Sequence, residues 1–183
     1  MLLAVNQLIE EKQLTEADVE FRLIGNSRNE LQPYLEGFQY PNILTIVDKV
    51  PRFKALEMMV NTDVQLLIQN LEGVSSETIP SKLYEYLQVG KPILGLIYQN
   101  LELSEILEQR EHYTAGADDV AAIKDQILKI YGQWKIGSLK GKRKLSPILV
   151  QDSVEELVAL FQNQLGASQI SNVDFGVDGK SKR

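Results

Sequence analysis

Four short apolar runs, each trailed by a stretch of helical spacing, constrain this chain more than any other feature. They are VEFRLI (residues 19–24), ILTIV (43–47), DVQLLI (63–68) and PILGLI (92–97). Residues 112–115 read as a further short edge strand. Apolar strands that alternate with amphipathic helices predict a parallel sheet covered by helices on both faces. Strands buried on both sides read as nearly continuous apolar runs, as these do. In such a sheet ligands bind outside the carboxyl ends of the strands. That rule selects Gly25, Asn26 and Ser27 after the first run, residues 48–52 after the second and residues 70–82 after the third. The loop after the fourth run, Tyr98, Gln99 and Asn100, is the least informative of the set.

Helices are expected over residues 2–13, 29–38, 53–61, 101–110, 118–131 and 153–165. Pro33 weakens the second of these. In the third, Leu56, Met59 and Val60 fall on one side. The last is capped by Asp152. From residue 166 the chain is polar and aperiodic, which predicts a domain over residues 1–165 and a loose tail over 166–183. The 183 residues carry a net charge of −6 and no cysteine, and they are 44% hydrophobic. A basic face for nucleic acid is not expected from that charge, and disulfides are excluded. No apolar stretch reaches the ~18–20 residues of a membrane span. These features fit a cytoplasmic protein. One basic run stands out, KIGSLKGKRK at residues 135–144, with five cations in ten. It reads either as a solvated loop or as a contact for anionic headgroups or a lipid-linked acceptor at the inner membrane face. The single histidine, His112, is expected in an edge-strand or surface role.

The segment ETIPSKLYEYLQVGKP, residues 77–92, carries the most chemistry. Pro80 suits a first helical turn, where its missing N–H costs nothing, and Gly90 suits a stop. Free N–H groups at such a start attract anions or hydroxyls. Lys82 lies in the first turn, where a cation is favourable only with an anion or acidic neighbour. Glu85 follows three residues on, so the two share a face. A carboxylate near a helix start can accept two hydroxyl hydrogen bonds, as a ribose diol offers. The plainer reading is a capped amphipathic helix. Ile79, Leu83, Tyr86 and Leu87 would then be core, and Lys82–Glu85 a surface pair worth roughly tenths of a kcal/mol.

The same segment resembles the donor-site motif of group 1, or family 4, retaining glycosyltransferases, which have the two-domain glycosyltransferase B fold. Glu77 and Glu85 match the E-x7-E spacing. Ile79, Pro80, Lys82, Leu83, Glu85 and Tyr86, followed by Gly90, Lys91, Pro92 and Ile93, are similar to I-P-x-K-L-x-E-Y and G-K-P-I. VEFRLIG resembles the strand that ends in glycine. VDKVPRFKALEMMVNTDVQLLI resembles the base-binding strand, its loop and the next helix and strand. Two departures are visible. No glycine stands at Asp48–Lys49, and the familiar E-G-F-G opening is Glu77-Thr78-Ile79-Pro80 here.

The resemblance spans residues 2–165 and implies the carboxyl-terminal, donor-binding domain of a hexosyltransferase-type enzyme. It implies that Glu85 binds the ribose hydroxyls and Glu77 the transferred sugar. Backbone N–H groups of Ile79, Pro80's neighbour Ser81 and Lys82 would face the sugar or diphosphate, with Lys82 a phosphate partner. Lys49 and Val50 would hold the base edge, while Gly25 and Asn26 would let the first loop approach the ligand. The substrate would be a UDP- or GDP-linked sugar, with no further cofactor and no metal. Transfer would retain the anomeric configuration, through donor positioning and stabilisation of the leaving diphosphate. Surface polysaccharide synthesis is the implied setting.

The family pattern also places a strand before the first helix. In the order 3-2-1-4-5-6 that strand is central. The expected fold is therefore a Rossmann-like parallel sheet lacking its first, central strand, and its neighbours would expose unpaired edges or close up on each other. The acceptor-binding domain would be a separate partner, and the 183 residues alone are expected to be inactive in transfer. Three rivals share parts of the pattern. A receiver domain needs an acidic pair that Asp48 lacks. A sugar-nucleotide epimerase needs acid–base residues that do not stand out. A non-catalytic interaction module predicts no nucleotide binding.

Overall fold

The computed structural model of the chain describes residues 1–25, 27–69, 71, 78–139, 154, 155 and 157–159. By its contacts the chain divides into two compact units, Met1–Pro147 and Ile148–Arg183. In the second unit residues 154, 155 and 157–159 are helical, within the expected last helix. The cap expected of Asp152, the tail over 166–183 and residues 140–144 of the basic run lie outside the described residues.

The first unit alternates helix and strand throughout. Its elements are α1 (Leu2–Glu10), β1 (Phe21–Ile24), α2 (Arg28–Leu35), β2 (Leu44–Val47), α3 (Arg52–Val60), β3 (Gln65–Ile68), α4 (Lys82–Val89), β4 (Ile93–Ile97), α5 (Leu101–Gln109), β5 (Tyr113–Gly116) and α6 (Val120–Lys135). All strand pairs are parallel. They form two sheets, β1–β2 and β3–β4–β5. The parallel, alternating pattern is Rossmann-like, and among the described residues no ladder joins β1 to β3.

Helices cover the larger sheet on both faces. On one face, Ala4 of α1 and Ile123 of α6 pack with Leu94, Leu96, Tyr113 and Ala115. On the other, Leu83 and Leu87 of α4 and Leu103 and Leu107 of α5 are fully buried. Gly95 permits that second packing, because a Cβ there would lie 2.5 Å from Leu107 Cδ1. Burial is uneven, however. All five residues of β4 are buried, whereas β1 has none and β2 only Leu44. The expectation of strands covered on both faces thus holds for β4 and fails for the smaller sheet, whose inner edge borders open space.

Local chemistry sets the boundaries. Ser27 and Glu30 form a reciprocal capping box that starts α2, and Pro33 lies within that helix. Asp119 caps α6 by accepting from the Ala122 N–H at 2.9 Å. Gly90 ends α4 in the left-handed conformation, φ 71°, which favours glycine. In α3 no residue is buried, and Val60 is 53% exposed rather than on a packed face. Ala55 and Met59 look instead into the cleft between the sheets. His112 is also buried, not at the surface, and its Nδ1 accepts the Ile93 N–H at 3.3 Å. It anchors the start of β4, at the opposite end of the sheet from the strand carboxyl ends. No helix among the described residues is long and apolar enough to cross a membrane.

Candidate functional site

The helix α4 opens at Lys82, with Ser81 as its N-cap, two residues later than the Pro80 start that the sequence suggests. Leu83 N–H donates to the Pro80 carbonyl at 2.9 Å and Tyr84 N–H to the Ser81 carbonyl at 3.3 Å. Ser81 is helical, with φ −57° and ψ −28°, and its side chain makes no cap bond. The N–H groups of this first turn are those that a helix leaves without an internal acceptor. Glu85 sits in the same turn, where the helix dipole favours a carboxylate. Ile79 and Pro80 are half-buried, and Ser81 and Lys82 are exposed. Glu77 and Asn26 lie outside the described residues.

Glu85 does not pair with Lys82. Its Oε1 accepts from Arg52 Nη2 at 3.1 Å, and Arg52 opens α3 immediately after the connection from β2. Arg52 is 76% exposed and Glu85 36%, so the pair contributes little to stability. Its value is positional. It brings the β2–α3 connection, with exposed Lys49 and half-buried Val50, against the start of α4. Gly25 closes β1 on the same side of the fold. It adopts φ 99°, its N–H donates to Val47 O at 2.9 Å, and nothing lies within 4 Å of its Cβ direction. Only a glycine takes that backbone without strain.

The approach to α4 is held by residues that sequence reasoning set aside. Asn100 is 4% exposed; its Nδ2 donates to the Thr78 carbonyl at 3.0 Å, and its Oδ1 accepts the Leu103 N–H at 2.9 Å. Gln69 is 5% exposed; its Nε2 donates to the same Thr78 carbonyl at 3.4 Å, and its Oε1 accepts the Tyr98 N–H at 3.1 Å. Two buried amides from the ends of β3 and β4 therefore fix the peptide that leads into Ile79-Pro80-Ser81. The loop after the fourth apolar run is informative after all. Its signal was an asparagine placed three residues before an apolar helical position, the pattern of an N-cap.

Pro80, Lys82 and Glu85 also line a cleft of about 700 Å³ that runs between β1 and β3. Tyr86 lines it too, and its hydroxyl donates to the Leu66 carbonyl at 3.4 Å. Burial pushes the Tyr86 phenol above its ordinary pKa, and the Glu85 charge adds to the effect. Lys49, Val50 and Gly25 do not line this cleft. They stand at the strand ends above it.

No protein-family model matches the chain, and no curated protein matches it.

Proposed function

We propose that the carboxyl ends of these strands form the donor site of a retaining glycosyltransferase, which binds a UDP- or GDP-linked sugar. The observation that carries this reading is the Arg52–Glu85 contact at 3.1 Å. It draws together two segments, β2–α3 and the start of α4, which the motif resemblance assigns to base and ribose. A first-turn carboxylate suits two hydroxyls of a ribose, and the exposed first-turn Lys82 suits a phosphate. Gly25 leaves room for a ligand beside β1. A role in surface polysaccharide synthesis, and contact with a lipid-linked acceptor at the inner membrane face, belong to the same proposal.

The test is calorimetric titration of the folded chain with UDP, GDP and their sugar conjugates. Saturable binding of one nucleotide series supports the reading and names the base. Heat of dilution alone, from a sample with the far-ultraviolet signature of an α/β fold, overturns it in favour of a non-catalytic module.

A further inference from the structure

We propose that Arg52 is a positioning residue for the Glu85 carboxylate: it holds that group in the orientation that two vicinal hydroxyls need, and so sets the preference for a ribonucleotide. The inference rests on the donor-site reading above and adds to it a residue that acts through another.

The first observation is how firmly the two side chains are mounted. Glu85 projects from a helix that is fixed on either side of it. Leu83 and Leu87 are fully buried, and the Tyr86 hydroxyl donates to the Leu66 carbonyl at 3.4 Å. Arg52 projects from an equally firm start. Pro51 is the N-cap of α3, with φ −56°, and its carbonyl accepts from the Lys54 and Ala55 N–H groups at 3.0 and 3.1 Å. A proline ring locks φ, so the direction in which Arg52 leaves the β2–α3 connection is set by the chain itself.

The second observation is the form of the contact. It is a single-point one, from Arg52 Nη2 to Glu85 Oε1 at 3.1 Å. The two oxygens of a carboxylate offer about four lone-pair positions. A single-point contact takes one of them and a diol takes two. Arg52 and a ribose can therefore hold the carboxylate together, where a bidentate guanidinium would face both oxygens and compete with the diol.

The third observation is exposure. The Glu85 side chain is 36% exposed, so without Arg52 it would turn among its rotamers and would have to be ordered by the ligand. Ordering a long side chain at the moment of binding costs affinity, and a side chain ordered beforehand does not incur that cost. An exposed pair adds little to folding. Small in folding and felt in binding is the combination that distinguishes a positioning contact from a structural one.

The test titrates the full chain with UDP and GDP and with their 2′,3′-dideoxy counterparts, and reads the ratio of the two affinities. Circular dichroism checks that each variant is folded. Arg52→Ala and Arg52→Met should each lower the wild-type preference for the ribonucleotide by about twofold to tenfold, the worth of ordering one long side chain. Both should leave the affinity for the dideoxy forms nearly unchanged. Arg52→Lys should restore most of the preference, because a single-point contact needs one donor. With Glu85→Ala in place, Arg52→Ala should change the ratio no further. A preference that Arg52→Ala leaves intact overturns the proposal. An equal loss for both forms also overturns it, since Arg52 would then touch the phosphate or base directly. A gain in ribonucleotide affinity overturns it too, since Arg52 would then compete for Glu85. Wild type that binds no nucleotide, or binds both forms alike, removes the donor-site reading and this inference with it, and that result is reached before any variant is made.

Discussion

Arg52 and Glu85, 33 positions apart in sequence, meet at 3.1 Å through Nη2 and Oε1. The contact spans the open centre of the fold, from the connection after β2 to the first turn of α4. Because Arg52 is largely in solvent, its removal should change little in stability. Arg52→Ala and Glu85→Ala are each expected to shift the unfolding free energy by less than about 1 kcal/mol. Urea titration monitored by circular dichroism measures this. A much larger loss would mean that the pair is structural and not a feature of a binding surface.

Asn100 does two tasks that substitution can separate. Asn100→Ala removes both the α5 cap and the donor to Thr78. It should cost about 1–2 kcal/mol of stability and weaken nucleotide binding. Asn100→Asp keeps an acceptor for the Leu103 N–H but cannot donate to the Thr78 carbonyl. It should retain more of the stability and lose the binding. Equal behaviour of the two variants in calorimetry would detach Asn100 from the donor site.

Gly95 is expected to be intolerant of a side chain. Its Cβ position lies 2.5 Å from Cδ1 of Leu107, which is fully buried. Gly95→Ala should destabilise by about 1–3 kcal/mol through overpacking. Leu107→Ala alone should cost about 2–5 kcal/mol through the cavity it leaves. The double variant should cost less than the sum, because the added methyl occupies part of that cavity. Additive losses in thermal or chemical unfolding would contradict this packing.

Tyr131 and Asp18 predict a defined pH response. The Tyr131 hydroxyl donates to Asp18 Oδ1 at 2.6 Å. That bond, followed by those from Thr15, holds the Asp18 carboxyl below its ordinary value of 3.8. The same bond raises the Tyr131 phenol above its ordinary 10.0. A carboxyl with a lowered folded pKa adds stability that is present above its unfolded pKa and lost as pH falls through the folded one. A phenol with a raised folded pKa adds stability that is present below its unfolded pKa and lost as pH rises through the folded one. Tyr131→Phe should therefore return Asp18 toward 3.8 in an NMR titration and weaken the acid-side loss. An unchanged Asp18 midpoint would remove the tyrosine as its cause.

Much of the architecture is legible in local sequence. The run PILGLI is wholly apolar because β4 is covered on both faces, and Gly90 ends α4 as the sequence suggests, whereas the helix begins at Lys82 and leaves Pro80 just before it. The smaller sheet is less legible. VEFRLI reads as a buried strand, yet β1 borders the cleft and buries none of its residues. Val60 follows helical spacing, but α3 buries none of its residues fully and this one turns to solvent. Within the candidate site, Lys82 and Glu85 are neighbours in sequence and invite pairing. The closer cation in space is Arg52, which no periodicity connects to α4. Gln69 and Asn100 read as ordinary loop polar residues. Their convergence on one carbonyl is tertiary, so spacing along the chain does not report it.

The central claim is that Glu85 receives the ribose of a nucleotide. It is tested most directly by titration of wild type and Glu85→Ala with UDP and GDP and with their 2′,3′-dideoxy counterparts. The account predicts that wild type prefers the ribonucleotide by roughly tenfold to a hundredfold, the worth of hydrogen bonds to a charged group. Glu85→Ala should bind both forms equally and weakly. Wild type that binds both forms alike, or Glu85→Ala that keeps the preference, would contradict it.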